Sequence, residues 1–256
     1  MSTAATQAKG ASQAYPLFYK KPEVLRADKH KNLSLNPEVS YEFARGANSL
    51  PINAAEMPRA VRHYPIVFTD TTNPFPVAVV GLRGGDNLFV EKDGKWAKGV
   101  YSPAYVRRYP FVFMRNPNAK TLTLCIDRES SRVADNRDNP FFVDGKRTDV
   151  TNNALKFCEA FEQEYRKTEE IAKLLVEMQL LTSNRGTFTL ESGEKVSLTG
   201  FKLVDEKKFN DLPNAEFLKL REEGALPVIY CQLISMHSWQ NLIAREALKI
   251  AAPKKK

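Results

Sequence analysis

Near its middle the chain reads PAYVRRYPFVF (residues 103–113), and a near-copy, PRAVRHYPIVF, occupies residues 58–68. Both copies fit the pattern P-x-x-V-R-[HR]-Y-P-[IF]-V-F, and subtracting 58 from 103 places them 45 residues apart. A second matched pair follows in the same order, NLFVEKDGK at residues 87–95 and NPFFVDGK at residues 139–146. The two matches predict an internal duplication of about 45 residues. Two units are too few for a solenoid, so we expect a pseudo-symmetric pair inside one domain.

Each copy of the motif predicts a short helix followed by a strand. Its Tyr-Pro pair ends the helix, because proline cannot continue the hydrogen-bond ladder and biases the residue before it towards extended geometry. The apolar residues 66–69 and 111–114 are then predicted strands. Further along the first unit, Asp93-Gly94 lies between apolar residues and predicts a tight hairpin.

The second half of the chain has mostly helical spacing. We predict an amphipathic helix, or a helical pair, over about residues 151–181, and Asn184-Arg185-Gly186 is predicted to end it. A hairpin is predicted at residues 187–198 and short helices between Asp205 and Gly224. The apolar, β-rich residues 226–234 predict a second core strand, and residues 238–250 predict a closing amphipathic helix.

These elements indicate an α+β fold with a mixed or mostly antiparallel sheet, built from the duplication of about 45 residues, with helices in the C-terminal half. We expect a flexible tail at residues 1–14, a single α+β domain at residues 15–250, and a basic tail at residues 251–256. Within the domain, residues 15–150 are predicted to be β-rich and residues 151–250 helix-rich.

Composition limits the class of protein. The 256 residues carry a net charge of +8, of which Lys254, Lys255 and Lys256 supply three, so the rest is only mildly basic. Such an excess favours acidic partners without selecting one class. There is no apolar run of membrane-spanning length and no Sec-type signal, which predicts a cytoplasmic protein; export without such a signal stays open. Three cysteines without CxxC spacing predict free thiols in a reducing compartment.

The repeated motif supplies the candidate binding residues. Arg62 and Arg107 take matched positions, and Tyr64 and Tyr109 follow them. Arginine can hold carboxylates or phosphates with two parallel hydrogen bonds, so the pairs predict a symmetric site for an anion or a peptide. Alternatively, the tyrosine rings fill the core and the arginines pair with loop acids such as Asp127 or Glu129. The candidate partner-binding residues are Arg62, Tyr64, Trp96, Arg107, Arg108 and Tyr109.

No other residue pattern predicts catalysis or metal binding. His63 stands where the second copy has Arg108, so the position accepts a basic group rather than requiring an imidazole. Ser235 and His237 are too close in sequence for the geometry of a catalytic triad. The acids of residues 127–138 alternate with arginines, which predicts self-paired charge on a long solvated loop. We expect no metal, no cofactor and no catalytic residue.

A set of motifs in the same order resembles the bacterial SapC family. The likeness extends from about Tyr15 to Leu242, and it is carried by residues 64–68, 87–90, 93–96, 106–111, 144–146, 198–201 and 224–226. The resemblance implies a protein linked to bacterial surface-layer proteins, whose export uses a type I secretion system without a Sec signal. It implies no catalytic residues.

Three hypotheses follow for the function. The first is a non-enzymatic accessory protein that binds a protein or peptide partner, linked to surface-layer or other exported proteins. The second is an enzyme of unrecognised type, in which Arg62 and Arg107 bind an anionic substrate. The third is a nucleic-acid-binding protein, for which no recognised motif is present and whose affinity would fall steeply with salt.

Overall fold

The computed structural model describes residues 15–115, 121–135, 138–190 and 193–251. The fold is α+β, with antiparallel sheets and the longer helices in the C-terminal half, which confirms the predicted fold class. The predicted tail at residues 1–14 and all of the predicted basic tail except residue 251 lie outside the described residues.

The strands are short in the first half of the chain and longer in the second. They are β1 (Pro22–Val24), β2 (Ser34–Leu35), β3 (Ser49–Pro51), β4 (Ile66–Thr69), β5 (Pro76–Val79), β6 (Phe111–Arg115), β7 (Leu122–Asp127), β8 (Val133–Ala134), β9 (Phe142–Val143), β10 (Lys146–Arg147), β11 (Leu181–Thr189) and β12 (Lys195–Val204).

The helices follow the same trend in the described residues. They are α1 (Ala27–His30), α2 (Met57–Ala60), α3 (Ala104–Arg107), α4 (Asp149–Glu177), α5 (Glu206–Asn210), α6 (Asn214–Glu222), α7 (Leu226–Ser235) and α8 (Trp239–Ala251), with 3-10 turns at Glu42–Ala44, Ala54–Glu56 and Met236–Ser238.

The main sheet is five-stranded and antiparallel, in the order β11-β12-β4-β5-β3. Its central strands β4 and β5 are almost wholly buried, as their apolar, non-alternating sequences predict. β4 pairs with β5 through Ile66 and Ala78, and with β12 through Thr69 and Phe201. The sheet therefore combines strands from both halves of the chain.

A smaller three-stranded sheet has the order β1-β7-β6, and two further antiparallel pairs, β2-β8 and β9-β10, are formed by the first half of the chain. The 29-residue helix α4 connects the two halves. Its buried residues include Ala154, Cys158 and Phe161, whose spacing of three to four residues forms one helical face. Helix α4 contacts β6 and β10 and also the 3-10 turn at Ala54–Glu56, so it joins the small sheet to the region that leads into the main one.

Two predictions in the second half are wrong. Residues 226–234 form the helix α7 rather than a strand, because a short continuous apolar run does not distinguish a buried strand from a buried helix. Asn184-Arg185-Gly186 lies inside β11 rather than at a helix end. Helix α4 has already ended at Glu177, and Gln179 turns the chain with a φ of 54°.

The two copies of the repeated motif have similar local structures. In each copy a four-residue helix, α2 or α3, precedes a strand, β4 or β6, which pairs with the next strand, β5 or β7. The two strand pairs belong to different sheets, and β4 also pairs with β12 whereas β7 also pairs with β1. The duplication itself stays a prediction.

Candidate functional site

The tyrosines of the repeated motif are buried. Tyr64 has no exposed surface and Tyr109 is 4% exposed. The Tyr64 hydroxyl donates to the Tyr101 carbonyl and accepts from Trp96 Nε1 at 3.0 Å, which joins two of the predicted site residues. The Tyr109 hydroxyl donates to Asp127 Oδ2 at 3.0 Å. Burial raises the pKa of Tyr109 to about 12, and it raises the pKa of Tyr64 beyond the usual range of a tyrosine, so both stay protonated.

Arg108 lies among aromatic rings rather than against acids. Its guanidinium carbon is 4.4 Å from the Tyr105 ring centroid, 4.3 Å from that of Phe161 and 5.8 Å from that of Tyr19. A cation held between ring faces is stabilised by their quadrupoles, most strongly when water is excluded. Arg108 therefore links Tyr19, which precedes β1, to the helices α3 and α4.

Arg62 and Arg107 are both exposed, but they contact different elements. Asn241 of α8 donates its side-chain amide to the Arg62 carbonyl at 3.3 Å. Arg107 instead packs towards α4, with its guanidinium carbon 5.4 Å from the Phe157 ring centroid. The two matched arginines therefore lie on separate parts of the surface, Arg62 next to α8 and Arg107 next to α4.

A cavity of about 160 Å³ lies beside Arg107, where α3, α4 and the 3-10 turn at Ala54–Glu56 meet. Small side chains leave this space open, and two aromatic rings and four polar side chains line the rest of it. The lining residues are Asn53, Ala55, Glu56, Ala104, Arg107, Phe157, Ala160, Phe161 and Glu164. An apolar cavity of about 150 Å³ holds a molecule the size of benzene, so this one has room for a single large apolar side chain.

The cavity wall is held in place by a buried carboxylate. Glu56 is 7% exposed, and its Oε1 accepts from the Ala104 backbone N–H at 2.6 Å and from the Tyr101 hydroxyl at 2.8 Å. Its Oε2 accepts from the Asn53 backbone N–H at 3.0 Å. Thr168 of α4 accepts from the Ala54 N–H at 2.9 Å and fixes the turn to the long helix.

Arg107 is held at the rim of this cavity by its own hydrogen bonds. Nε donates to the Ser102 carbonyl at 3.0 Å, and Nη2 donates to the Tyr101 hydroxyl at 3.1 Å. Burial, reinforced by the charge of Glu56, raises the pKa of Tyr101 to about 12, so this hydroxyl stays protonated. Two of the guanidinium nitrogens are engaged and orient the group, while the charge remains at the surface beside Phe157.

The predicted solvated acidic loop is wrong at its first residue. Asp127 is completely buried at the end of β7. Its carboxylate accepts from the backbone N–H groups of Lys20, at 3.1 Å, and Lys21, at 2.8 Å, in addition to the Tyr109 hydroxyl. Arg132 donates to the Tyr109 carbonyl at 2.9 Å rather than to an acid. Asp127 thus anchors Lys20 and Lys21, which precede β1, to the three-stranded sheet.

Sequence reasoning identified Arg107 but not its surroundings. Asn53 and Glu56 have the spacing of a helix capping box, which is visible in the sequence, yet nothing there shows that Glu56 reaches Ala104. Phe157 and Phe161 are four residues apart on one helix, but their meeting with α3 depends on tertiary packing. The cavity exists because three separate elements each contribute an alanine.

Among the helices of the described residues, none is both long and apolar enough to cross a membrane. Within those same ranges, no group of three or more His, Cys, Asp and Glu side chains is placed to hold a metal ion.

Comparison with known proteins gives one match. The family model described as SapC matches residues 25–242. No curated protein matches the chain. No solved structure matches it either.

Proposed function

Because this chain belongs to the SapC family, we propose that it is a non-enzymatic accessory protein that binds a polypeptide. Its partner would be a surface-layer or other exported protein, in keeping with the link that the sequence resemblance implies. Within the predicted set of site residues, Arg107 carries the binding role, and Tyr64, Trp96, Arg108 and Tyr109 support the surface from within.

The observation that supports this proposal most is the cavity beside Arg107. Its walls combine alanine methyl groups and the rings of Phe157 and Phe161 with Asn53, Glu56 and Glu164, and one arginine lies at its rim. This combination suits a segment that inserts one apolar side chain and places a carboxylate on the guanidinium. The small volume favours a single side chain over a free metabolite of ordinary size.

The expected strength of one such anchor is modest. Burying a leucine-sized side chain contributes about 1.5–3 kcal/mol, and a charge-assisted hydrogen bond contributes about 1.5–3 kcal/mol. A gain of about 4 kcal/mol corresponds to a Kd near 1 mM, so useful affinity requires further contacts along the segment. A polypeptide supplies such contacts, and this favours it over a small anion.

The three cysteines support a cytoplasmic site of action as part of the same proposal. All three are free thiols, and Cys125 and Cys158 are buried. Burial raises the pKa of Cys125 to about 11 and that of Cys158 to about 12, so neither is a reactive thiolate at neutral pH. Inert buried thiols fit a protein that works in a reducing compartment.

A displayed library of random peptides, selected on the purified protein, tests the proposed function. We expect the selected sequences to place Asp or Glu next to Leu, Ile, Phe or Met. Binding should be lost in two folded variants, Arg107→Ala, which removes the charge, and Ala160→Leu, which fills the cavity. Arg62→Ala is the matched control, because Arg62 is the equivalent exposed arginine of the other motif copy and lies outside the cavity lining.

The outcome separates the alternatives. Selected peptides that bind Arg107→Ala and Ala160→Leu as well as the original chain would contradict the proposed site. Loss of binding in Arg62→Ala alone would indicate that the binding site is instead the surface next to α8. A selection without any enriched sequence pattern would contradict the polypeptide-binding role itself.

A further inference from the structure

Strand β11 lies at the edge of the five-stranded sheet and is nine residues long. On one side it pairs with β12, and no other strand of the described residues pairs with its outer side. An edge strand presents a row of backbone N–H and C=O groups that another chain can use as a template. Most edge strands in natural proteins are short or covered, so a long open one is a candidate interaction surface.

The pairing register identifies the groups that face outwards. Asp205 N–H donates to the Leu180 carbonyl, and Leu190 N–H donates to the Glu194 carbonyl, so the even-numbered residues of this stretch bond to β12. The register shifts by one residue at Gly200 of β12, which has no partner on β11 and has a φ of 80°, as a bulge residue does. Because the extra residue is on β12, the backbone groups of β11 keep alternating between the two sides of the strand. The backbone groups facing outwards belong to Leu181, Ser183, Arg185, Thr187 and Thr189.

From Ser183 to Thr189 the side chains of this row are exposed, whereas Leu181 is half-buried against the main core. Arg185, Thr187 and Thr189 are exposed, whereas Phe188, of the opposite parity, packs its ring on Trp239 with centroids 4.6 Å apart. One face of β11 is thus anchored on α8. The other face of β11 is exposed, and the side chains of a strand added at the edge would extend it.

This face carries three cations and one acid, Asp70, which accepts from the Ser183 hydroxyl at 3.2 Å. Arg185 lies near its middle, Lys202 is paired across the hairpin with Ser183, and Lys195 is paired with Thr189. Lys202 also bridges to Asp70 at 3.3 Å. A neighbouring strand with a carboxylate opposite Arg185 would form an opposite-charge cross-strand pair, which is favourable. Lys195 and Lys202 lie one strand further in, on β12.

Charge also distinguishes between the possible occupants. A second copy of the chain, paired antiparallel along the whole of β11, would place Arg185 directly opposite its own equivalent, and like charges in that position are destabilising. Residues 1–14 contain no Asp or Glu and offer no complement to Arg185. A different polypeptide with acidic residues fits the surface better than either.

We infer that β11 binds an extended acidic segment of another protein by strand addition, as a sixth strand of the main sheet. Main-chain hydrogen bonds to the outward groups supply the general affinity, and Arg185 selects a segment with a carboxylate opposite it. The Arg185 N–H now donates to the Asn184 side-chain carbonyl at 2.7 Å, and the incoming strand replaces this contact. The surface is separate from the Arg107 cavity, and the inference does not depend on that cavity.

The test uses a short capped peptide that alternates glutamate and valine, with a matched peptide that has lysine in place of glutamate. Binding is followed by backbone amide NMR of the full chain. We expect the glutamate peptide to shift and protect the N–H groups of Ser183, Arg185 and Thr187, and to leave those of Thr182 and Asn184 nearly unchanged. The lysine peptide should bind roughly threefold to tenfold more weakly, since the expected difference is one or two cross-strand charge pairs.

Two variants with different effects complete the test. Thr187→Pro removes an outward N–H without breaking the ladder to β12, because proline is tolerated on the open side of an edge strand, and it should abolish binding. Arg185→Glu should reverse the preference and favour the lysine peptide. Arg62→Glu is the control for a general charge effect, and Arg107→Ala should leave this binding unchanged.

Several results would overturn the inference. One is binding of the glutamate peptide to a folded Thr187→Pro variant with unchanged affinity. Others are amide shifts confined to the α3–α4 surface, or no binding of either peptide. A concentration-dependent dimer that is lost in Thr187→Pro would show that a second copy, not an acidic partner, occupies the edge.

Discussion

Glu56 is the residue on which the geometry of the cavity depends most. Its two oxygens accept three hydrogen bonds, from the Ala104 and Asn53 backbones and from the Tyr101 hydroxyl. Buried carboxylates are costly unless they are fully hydrogen-bonded, and here the partners come from the wall and the rim of the cavity. A sequence shows the carboxylate and its cap, whereas its contacts across 48 residues exist only in the folded chain.

We predict that Glu56→Gln destabilises the fold by about 1–3 kcal/mol, because the amide nitrogen cannot accept one of the bonds now made and leaves a buried donor unpaired. The midpoint of urea unfolding measures this change. Glu159→Gln, at an exposed position of α4, is the matched control and should have almost no effect. Equal midpoints for Glu56→Gln and Glu159→Gln would show that the buried carboxylate is dispensable.

His63 gives the fold a dependence on pH. Burial lowers the pKa of His63, and the positive charges of Arg62 and Arg245 lower it further. The folded chain therefore binds this proton less readily than the unfolded chain does. The stability associated with His63 is complete above the ordinary histidine pKa of about 6.5 and is lost as the pH falls through the lowered folded-state value.

Imidazole NMR titration checks this prediction. The pKa of His63 should lie below its ordinary value and should rise in Arg62→Ala, whereas Arg59→Ala, at another exposed arginine, should leave it almost unchanged. In parallel, His63→Gln should reduce the loss of unfolding free energy between about pH 7 and pH 5. A His63 pKa at or above its ordinary value would contradict the account.

At the scale of elements, the strand predicted at residues 226–234 is the helix α7, and two of its side chains explain the difference. Gln232 and Ser235 are three residues apart, and both are completely buried. Ser235 Oγ accepts from the Ile66 N–H at 2.9 Å, and Gln232 Oε1 accepts from the Val204 N–H at 3.1 Å. These polar residues join a helix to two strands, and their spacing is helical rather than alternating.

We predict that Gln232→Met destabilises the protein by about 2–4 kcal/mol, although the side chains have similar size. The substitution leaves the Val204 N–H without its acceptor and the Ile66 carbonyl without the amide donor at 3.3 Å, and each such loss costs about 1–3 kcal/mol. Gln240→Met, exposed on α8, is the control. Calorimetric unfolding of the three chains gives the comparison, and a similar transition temperature for all three would refute the bridging role.

At the scale of the whole molecule, the predicted single domain rests on how the two halves share a sheet. Strands β3, β4 and β5 come from the first half and β11 and β12 from the second. The fold class followed from the sequence because hairpins and amphipathic helices have local patterns. The pairing of β4 with β12 did not, because it joins residues far apart in the chain, such as Thr69 and Phe201.

This sharing predicts one cooperative unfolding transition. Each half contains one tryptophan, Trp96 or Trp239, so single-tryptophan variants report on the halves separately. The two fluorescence curves in urea should coincide with each other and with the loss of circular dichroism. Two separated transitions would show that residues 15–150 and 151–250 are independent domains.

The measurement that tests the central claim most directly is alanine-methyl NMR of the full chain with N-acetyl-aspartyl-leucinamide. Ala55, Ala104 and Ala160 line the cavity beside Arg107, so their methyl signals report on its occupancy. We predict that these three signals shift together at millimolar peptide, that Arg107→Ala weakens the effect severalfold, and that Arg62→Ala leaves it unchanged. Shifts elsewhere with these three methyl signals unmoved, or an equal response in both variants, would contradict the account.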